Sequence, residues 1–187
     1  MQVGDVMAFS SKDYVVRQIL YRTKTDRAQT LSEKICKRTE KRRVFYVVER
    51  KGKQYWVKEY VVPTKAGYNA DYEYKELMRL SQPSYIDCNS IAAVSVFGLE
   101  KNRILEEYCP EHKKITECRK LLTKDDKALL VSLINLWLAE HSITGYDFSA
   151  CNTLVRKEGG VMSVKLIDFE QCKHGKAYWR KYFISKI

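Results

Sequence analysis

Three oxygen-bearing side chains in the C-terminal part of the chain have the types and the order that metal-assisted phosphoryl transfer requires. Asn152 follows Asp147 by five positions, and Asp168 ends the apolar segment that comes after. Phosphoryl transfer needs one carboxylate that orients the attacking hydroxyl, and an amide oxygen and a second carboxylate that hold metal ions on the phosphates. Each acid alone is more often a turn or cap residue. Together they predict Asp147 as the catalytic carboxylate and Asn152 and Asp168 as metal ligands.

A lysine and a glutamate in the N-terminal half could hold a nucleotide. Lys58 lies among apolar and aromatic residues typical of a strand, and Glu73 lies fifteen positions later in a segment with helical spacing. We interpret Lys58 as a catalytic and ATP-binding residue that Glu73 keeps on the phosphates, although Lys58 alone would more often be a solvated strand lysine. Glu76 is the competing partner. Glu73 is preferred because Leu77 and Leu80 then follow at i+4 and i+7 and can pack beside it.

The rest of the sequence predicts the elements that must position these residues. Three antiparallel strand pairs are predicted from β-branched and aromatic runs separated by turn residues. The pairs are 44–48 with 55–62, 90–98 with 102–108, and 153–156 with 163–167. Residues 14–22 could be a strand or a short helix, and residues 23–43 read as a charged loop.

Helical patterns alternate with these strands. A helix is predicted from Asn69 to about Ser81, and a short helix with a loop is predicted in 111–124. The strongest pattern begins at Thr123 as N-cap and ends near Glu140, and a last helix is predicted in 176–187. His141, which follows the long helix, is interpreted as structural. This order of elements indicates an α+β fold with a sheet lobe and a helical lobe.

Composition narrows the class of protein further. The 187 residues suffice for one domain or for one domain of two small lobes, and the net charge of +11 favours phosphate-bearing partners. A basic chain can also simply be well solvated. The six cysteines include no C-x-x-C pair, which argues against zinc and favours reduced thiols in a cytoplasm. We expect neither a transmembrane helix nor a signal peptide.

Four segments resemble motifs of the protein-kinase-like superfamily. Residues 145–152 (GYDFSACN) are similar to its H-x-D-x-x-x-x-N loop and residues 168–170 (DFE) to D-F-G, while Val57-Lys58 is similar to the end of V-A-I-K and residues 104–108 (ILEEY) to the hinge strand. The chain looks most like lipopolysaccharide-core (Kdo/heptose) sugar kinases, and next like RIO-type kinases. The resemblance implies a two-lobed kinase-like fold with an antiparallel-sheet N-lobe (1–108) and a minimal helical C-lobe (109–187). It also implies ATP and Mg²⁺ as cofactors, with adenine bound near Glu107 to Cys109.

The chain departs from that pattern in several places. No G-x-G-x-x-G precedes Lys58, and the corresponding stretch instead holds four basic residues, Arg38, Lys41, Arg42 and Arg43. Gly145 stands where the loop usually has His, and Glu170 stands where the third motif residue is usually Gly. Seventeen residues follow Glu170, too few for an activation segment or a large substrate platform. We therefore expect a small or externally presented substrate, or a protein partner that completes the C-lobe.

The function expected from these features is ATP-dependent phosphorylation of a hydroxyl on an anionic sugar, glycan or glycolipid. Such an enzyme would be cytoplasmic, with peripheral contact to the inner face of the membrane as an option. One alternative is a RIO-like protein kinase or ATPase in a nucleic-acid-associated complex, in which the positive charge serves RNA. The other alternative is a pseudokinase that binds without turnover.

Overall fold

The protein has an α+β fold in the computed structural model. The structure describes residues 1–22, 43–60, 69–81, 90–145, 152–169 and 173–174. The strands are β1 Val6–Phe9, β2 Lys12–Arg22, β3 Arg43–Arg50, β4 Lys53–Tyr60, β5 Ile91–Ala93, β6 Val96–Glu100, β7 Arg103–Glu107, β8 Lys113–Lys114, β9 Ile143–Gly145, β10 Thr153–Glu158, β11 Val161–Leu166 and β12 Lys173–His174. The helices are α1 Ala70–Leu80, α2 Ile115–Cys118 and α3 Lys124–Glu140, with a 3₁₀ turn at Arg119–Leu121.

The chain forms two compact units. One comprises 1–75 and 96–108, and the other comprises 76–95 and 109–187.

A six-stranded antiparallel sheet in the order β1-β2-β3-β4-β7-β6 dominates the first unit. The predicted hairpin β3–β4 is confirmed, and its turn places Lys51 and Gly52 at φ 52° and 75°, the two left-handed positions of a tight hairpin turn. The sheet curls so that its edge strands approach each other, because a Cβ built on Gly98 of β6 would lie 3.6 Å from Phe9 Cβ of β1. The apolar core on one face of the sheet contains Met7, Phe9, Tyr14, Val16, Tyr46, Val48, Val57 and Leu105.

The N-terminal segment is part of this sheet. Residues 12–22 form a strand rather than a helix, and β2 pairs with both β1 and β3. Tyr14 and Val16 are buried while Asp13 and Arg17 are exposed, as the two faces of a strand require, and the pairing with β3 shifts register between Val16 and Gln18. Of the two alternatives for residues 14–22, the strand is therefore confirmed.

The prediction of one continuous strand over 90–98 is wrong. Residues 91–93 form β5, which runs parallel to β11 in a second sheet, and residues 96–100 form β6, which pairs with β7. Val94 lies at the break, and its N–H donates to the Leu166 carbonyl at 3.0 Å. The residues of the run other than Ser90 and Ser95 are apolar or glycine, and a single serine at the break is too weak a signal to predict the change of sheet.

The second unit combines a four-stranded sheet, β5-β11-β10-β8, with helix α3. The predicted cap is confirmed: the Thr123 hydroxyl accepts from Asp126 N–H, and the Asp126 carboxylate accepts from Thr123 N–H, at 3.1 and 2.9 Å. The helix buries Leu130, Leu133, Ile134, Trp137 and Leu138. The predicted strands at 153–156 and 163–167 correspond to β10 and β11, which form a regular hairpin.

Several predictions lie outside the described residues, including the last helix at 176–187 and most of the charged segment 23–43. Among the described helices, none is long and apolar enough to cross a membrane. Cys109 and Cys118 both carry thiols rather than disulfides, and burial raises the pKa of the Cys118 thiol.

Candidate functional site

Lys58 and Glu73 form a buried ion pair in the first unit. The Lys58 ammonium lies 2.9 Å from Glu73 Oε1 and 2.7 Å from Oε2. The two side chains are only 4% and 0% exposed. Glu76, the competing candidate, instead pairs with Arg79 one turn further along α1. The structure therefore brings together the lysine and the glutamate that the sequence predicted as partners.

The helix that carries Glu73 is positioned by its own sequence. The Asn69 side chain accepts from Tyr72 N–H at 2.7 Å and caps the N-terminus of α1. Leu77 and Leu80 are buried at 0% and 4% exposure, on the helix face expected from their spacing. Glu73 thus projects from the first turn of a helix fixed by a cap and an apolar face.

Tyr60 completes the surroundings of this pair. Its hydroxyl donates a hydrogen bond to Glu73 Oε2, and the Lys58 ammonium lies 5.4 Å from the centre of its ring. Tyr60 lies two residues after Lys58 on β4 and therefore on the same face of the sheet. Glu73 accepts from both groups, so its carboxylate orients the ammonium and the phenol at once.

An aromatic surface continues along the same face of β4. The Trp56 ring lies 6.0 Å from the Tyr108 ring with 3° between their planes, and 5.4 Å from the Phe45 ring. Glu106 is directly across from Trp56 and is buried at 5% exposure. Flat apolar surfaces of this kind can stack the base of a nucleotide.

The predicted adenine-binding residues lie at the end of β7 and just beyond it. Glu107 is the last residue of β7, and Cys109 follows two positions later with intermediate burial. The Cys109 carbonyl accepts from His112 N–H at 3.1 Å, so this carbonyl closes a turn.

In the second unit, Asn152 and Asp168 lie at the same end of the β10–β11 hairpin. Thr153 pairs with Leu166, and Ile167 N–H donates to the Asn152 carbonyl at 3.0 Å. Asn152 directly precedes Thr153, and Asp168 follows Leu166 by two residues, so both lie at the end of the hairpin opposite its turn. The structure thus brings the two predicted metal ligands to one place.

Asp168 has a left-handed backbone, with φ of 69°. The other described non-glycine residues with positive φ lie in hairpin turns or at the end of α3, namely Ser10, Ser11, Lys51, Lys101 and Ser142. Asp168 instead follows β11 directly. An L-residue in this conformation costs about 1–2 kcal/mol, and Asp tolerates it better than most residues. Such strain is concentrated at ligand-binding positions.

The donor types at this edge fit Mg²⁺. Mg²⁺ prefers hard oxygen ligands and commonly takes one or two carboxylates together with phosphate oxygens. Asn152 supplies an amide oxygen and Asp168 a carboxylate, with Asn152 buried at 4% exposure. Within the described ranges, no three His, Cys, Asp or Glu side chains lie together as they would in a metal site built from protein ligands alone.

Asp147, the predicted catalytic carboxylate, and Glu170 lie outside the described residues. His141 is described, and its Nδ1 lies 2.8 Å from the Trp137 carbonyl while its ring lies 4.2 Å from the Trp137 ring. These contacts tie the His141 ring to the last turn of α3, in agreement with the structural interpretation of this residue.

Sequence reasoning did not single out Tyr60 or Trp56 as parts of the site, and it named Arg43 only as one of four basic residues that precede Lys58. The alternation of β4 carries the signal, because Trp56, Lys58 and Tyr60 occupy every second position and must share a face. Arg43 pairs with Tyr60 across β3 and β4, and its guanidinium carbon lies 5.5 Å from the Tyr60 ring centre. That contact depends on strand register, which the sequence alone does not give.

Comparison with models of known protein families gives no match, and comparison with curated proteins gives no significant match either. The functional conclusion therefore depends on the motifs and on the geometry of the described residues.

Proposed function

We propose that this protein is an ATP- and Mg²⁺-dependent phosphotransferase with a two-lobed, reduced protein-kinase-like fold, and that it phosphorylates a hydroxyl of an anionic sugar, glycan or glycolipid. In this proposal the six-stranded sheet with the start of α1 is the N-lobe, and the part of the chain after Tyr108 is the C-lobe. The motif resemblance and the arrangements around Lys58 and Asp168 support it.

The observation that carries the proposal is the burial of Lys58 against Glu73. Replacing a buried ion pair by apolar residues of similar size is often neutral or stabilising by about 1–4 kcal/mol. A fold therefore gains little from such a pair, and buried charges held in a fixed geometry are characteristic of functional sites. A lysine fixed in this way on a strand is suited to binding phosphates.

Each residue has one role in the proposed reaction. Lys58 binds the α- and β-phosphates of ATP, and Glu73 and Tyr60 keep its ammonium in position. Asn152 and Asp168 hold Mg²⁺, which neutralises the charge on the phosphates. Asp147 orients the acceptor hydroxyl and accepts its proton as the hydroxyl oxygen bonds to the γ-phosphorus and ADP leaves.

The choice of an anionic acceptor follows from the charge of the chain. A net charge of +11 attracts acidic glycans and lipid headgroups and raises their local concentration. The resemblance to lipopolysaccharide-core sugar kinases agrees with this acceptor class.

Calorimetric titration with ATP in the presence of Mg²⁺ tests nucleotide binding. Binding should occur in the wild type and should be lost in Lys58→Met and in Asp168→Ala. Lys53→Met is the matched control, because Lys53 is an exposed lysine of the same strand. Binding that is absent from the wild type, or unchanged in Lys58→Met, would contradict the proposal.

A screen of sugar, glycan, glycolipid and protein acceptors with γ-labelled ATP tests transfer. Label should enter an acidic glycan or glycolipid, and Asp147→Asn should abolish transfer while ATP still binds. Label in a protein acceptor, together with salt-sensitive RNA binding, would favour the RIO-like alternative. Binding without transfer to any acceptor would leave a pseudokinase.

A further inference from the structure

Two cations share one aromatic ring beside the candidate phosphate site. The guanidinium carbon of Arg43 lies 5.5 Å from the centre of the Tyr60 ring, and the ammonium of Lys58 lies 5.4 Å from the same point. The two charges are therefore at most about 11 Å apart, a limit set by these two distances. Both lie within the range of a cation–π contact.

Strand register puts both side chains on one face of the sheet. Arg43 is directly opposite Tyr60, and Phe45 is directly opposite Lys58. Directly opposite residues share a face, and so do residues two apart on one strand. Arg43 and Lys58 are consequently diagonal neighbours.

The two cations differ in their access to a ligand. Lys58 is buried and held by Glu73, whereas Arg43 is only partly buried, at the start of β3. A guanidinium offers a planar fork of donors that matches phosphate oxygens, while an ammonium acts as a point charge. The pair thus combines one fixed ammonium with one more accessible fork, and an anion with several phosphates can use both.

We propose that Arg43 binds the triphosphate of the nucleotide together with Lys58. This inference rests on the proposed function, since it assigns a second phosphate-binding side chain to the same site. It also accounts for a departure noted in the sequence. No G-x-G-x-x-G precedes Lys58, so a side-chain donor on β3 takes the place of backbone donors from a glycine-rich loop.

The experiment measures binding of inorganic tripolyphosphate, ADP and ATP, each with Mg²⁺, to the full chain. Arg43→Gln should weaken binding of tripolyphosphate and ATP by about 10- to 100-fold, the usual effect of losing hydrogen bonds to a charged group. The affinity of Arg43→Lys should lie between those of the wild type and Arg43→Gln, because lysine keeps the positive charge but lacks the planar fork of donors. The loss should be smaller for ADP than for ATP.

Arg50→Gln is the matched control. Arg50 ends the same strand, and its guanidinium carbon lies 5.9 Å from the ring of Tyr14, which belongs to the core on the opposite face. The control makes the same change of charge, so it should alter binding by less than about twofold if contact rather than net charge matters. Thermal unfolding of each variant excludes a loss of fold.

The possible results separate the two proposals. If Arg43→Gln and Arg50→Gln bind ATP and tripolyphosphate with the same affinity as each other, while Lys58→Met does not bind them, Arg43 does not have the proposed role. The phosphotransferase proposal would then still stand. A wild-type protein that binds neither tripolyphosphate nor ATP would overturn both. A selective loss in Arg43→Gln supports the inference.

Discussion

Removal of both members of the Lys58–Glu73 pair should harm the fold far less than removal of either one. Lys58→Met leaves a buried carboxylate without its ammonium, and Glu73→Leu leaves a buried ammonium, so each should cost about 3–5 kcal/mol of unfolding free energy. Among the contacts of the described residues, the double variant removes Glu73 as the acceptor of the Tyr60 hydroxyl, a cost of about 1–3 kcal/mol. An apolar replacement commonly gains about 1–4 kcal/mol, so the double variant should be close to the wild type.

Urea unfolding followed by circular dichroism measures this double-mutant cycle. The coupling energy between the two positions should be several kcal/mol. The exposed pair Asp71–Lys75 on the same helix is the matched control, since its atoms are 2.6 Å apart while its side chains are 56% and 70% exposed. Its coupling should be about 0.3–0.5 kcal/mol.

The same variants separate stability from function. The folded double variant should fail to bind Mg²⁺-ATP although its stability is restored. A coupling energy below about 1 kcal/mol, in the range of exposed pairs, would refute the reasoning that burial makes this pair strong. Nucleotide binding by the folded double variant would refute the proposed role of the pair.

Three further predictions concern stability. The pKa of Asp126 is lowered to about 2 by the hydrogen bond from Lys157 and by those from Thr123. Its contribution to folding stability is therefore full above about pH 4 and is lost as the pH falls towards 2. The difference in melting temperature between the wild type and Asp126→Asn should become smaller over that range, and a difference that grows would contradict this assignment. The Thr153 hydroxyl is buried without a hydrogen-bond partner among the described residues, so Thr153→Val should raise the unfolding free energy by about 1 kcal/mol or more in urea titrations, and a decrease would indicate a partner. Gly52 has φ of 75° in the β3–β4 turn, so Gly52→Ala should lower the unfolding free energy by about 1–2 kcal/mol, and an unchanged value would contradict the turn.

The sequence predicts best those elements whose signals are local. Gly52 between two β-branched runs predicts the β3–β4 hairpin. Thr123 and the acids of the first turn predict the start of α3. The break at Val94 and Ser95 leaves only a weak local signal, because residues 91–93 and 96–98 suit either sheet. The two-residue strands β8 and β12 and the three-residue strand β9 are too short, or pair too distantly, for a pattern of alternation to reveal them.

The contacts of the candidate site also fall into those that the sequence predicts and those that it does not. Residue type and order were enough to pair Lys58 with Glu73, because a strand lysine and a helix glutamate with leucines beside it leave few arrangements. The contacts of Tyr60 and Arg43 depend on register between strands, and register is fixed by the packing of whole faces rather than by any one residue.

The places where this chain departs from what folding alone favours support the proposed site. An ordinary core would hold apolar residues where Lys58 and Glu73 lie, and an ordinary strand end would not hold Asp168 in a left-handed conformation. Natural sequences keep such local conflicts mainly where function requires them. Both conflicts fall on residues that the motifs mark. A structural explanation of one conflict would not explain the other, because they lie in separate units.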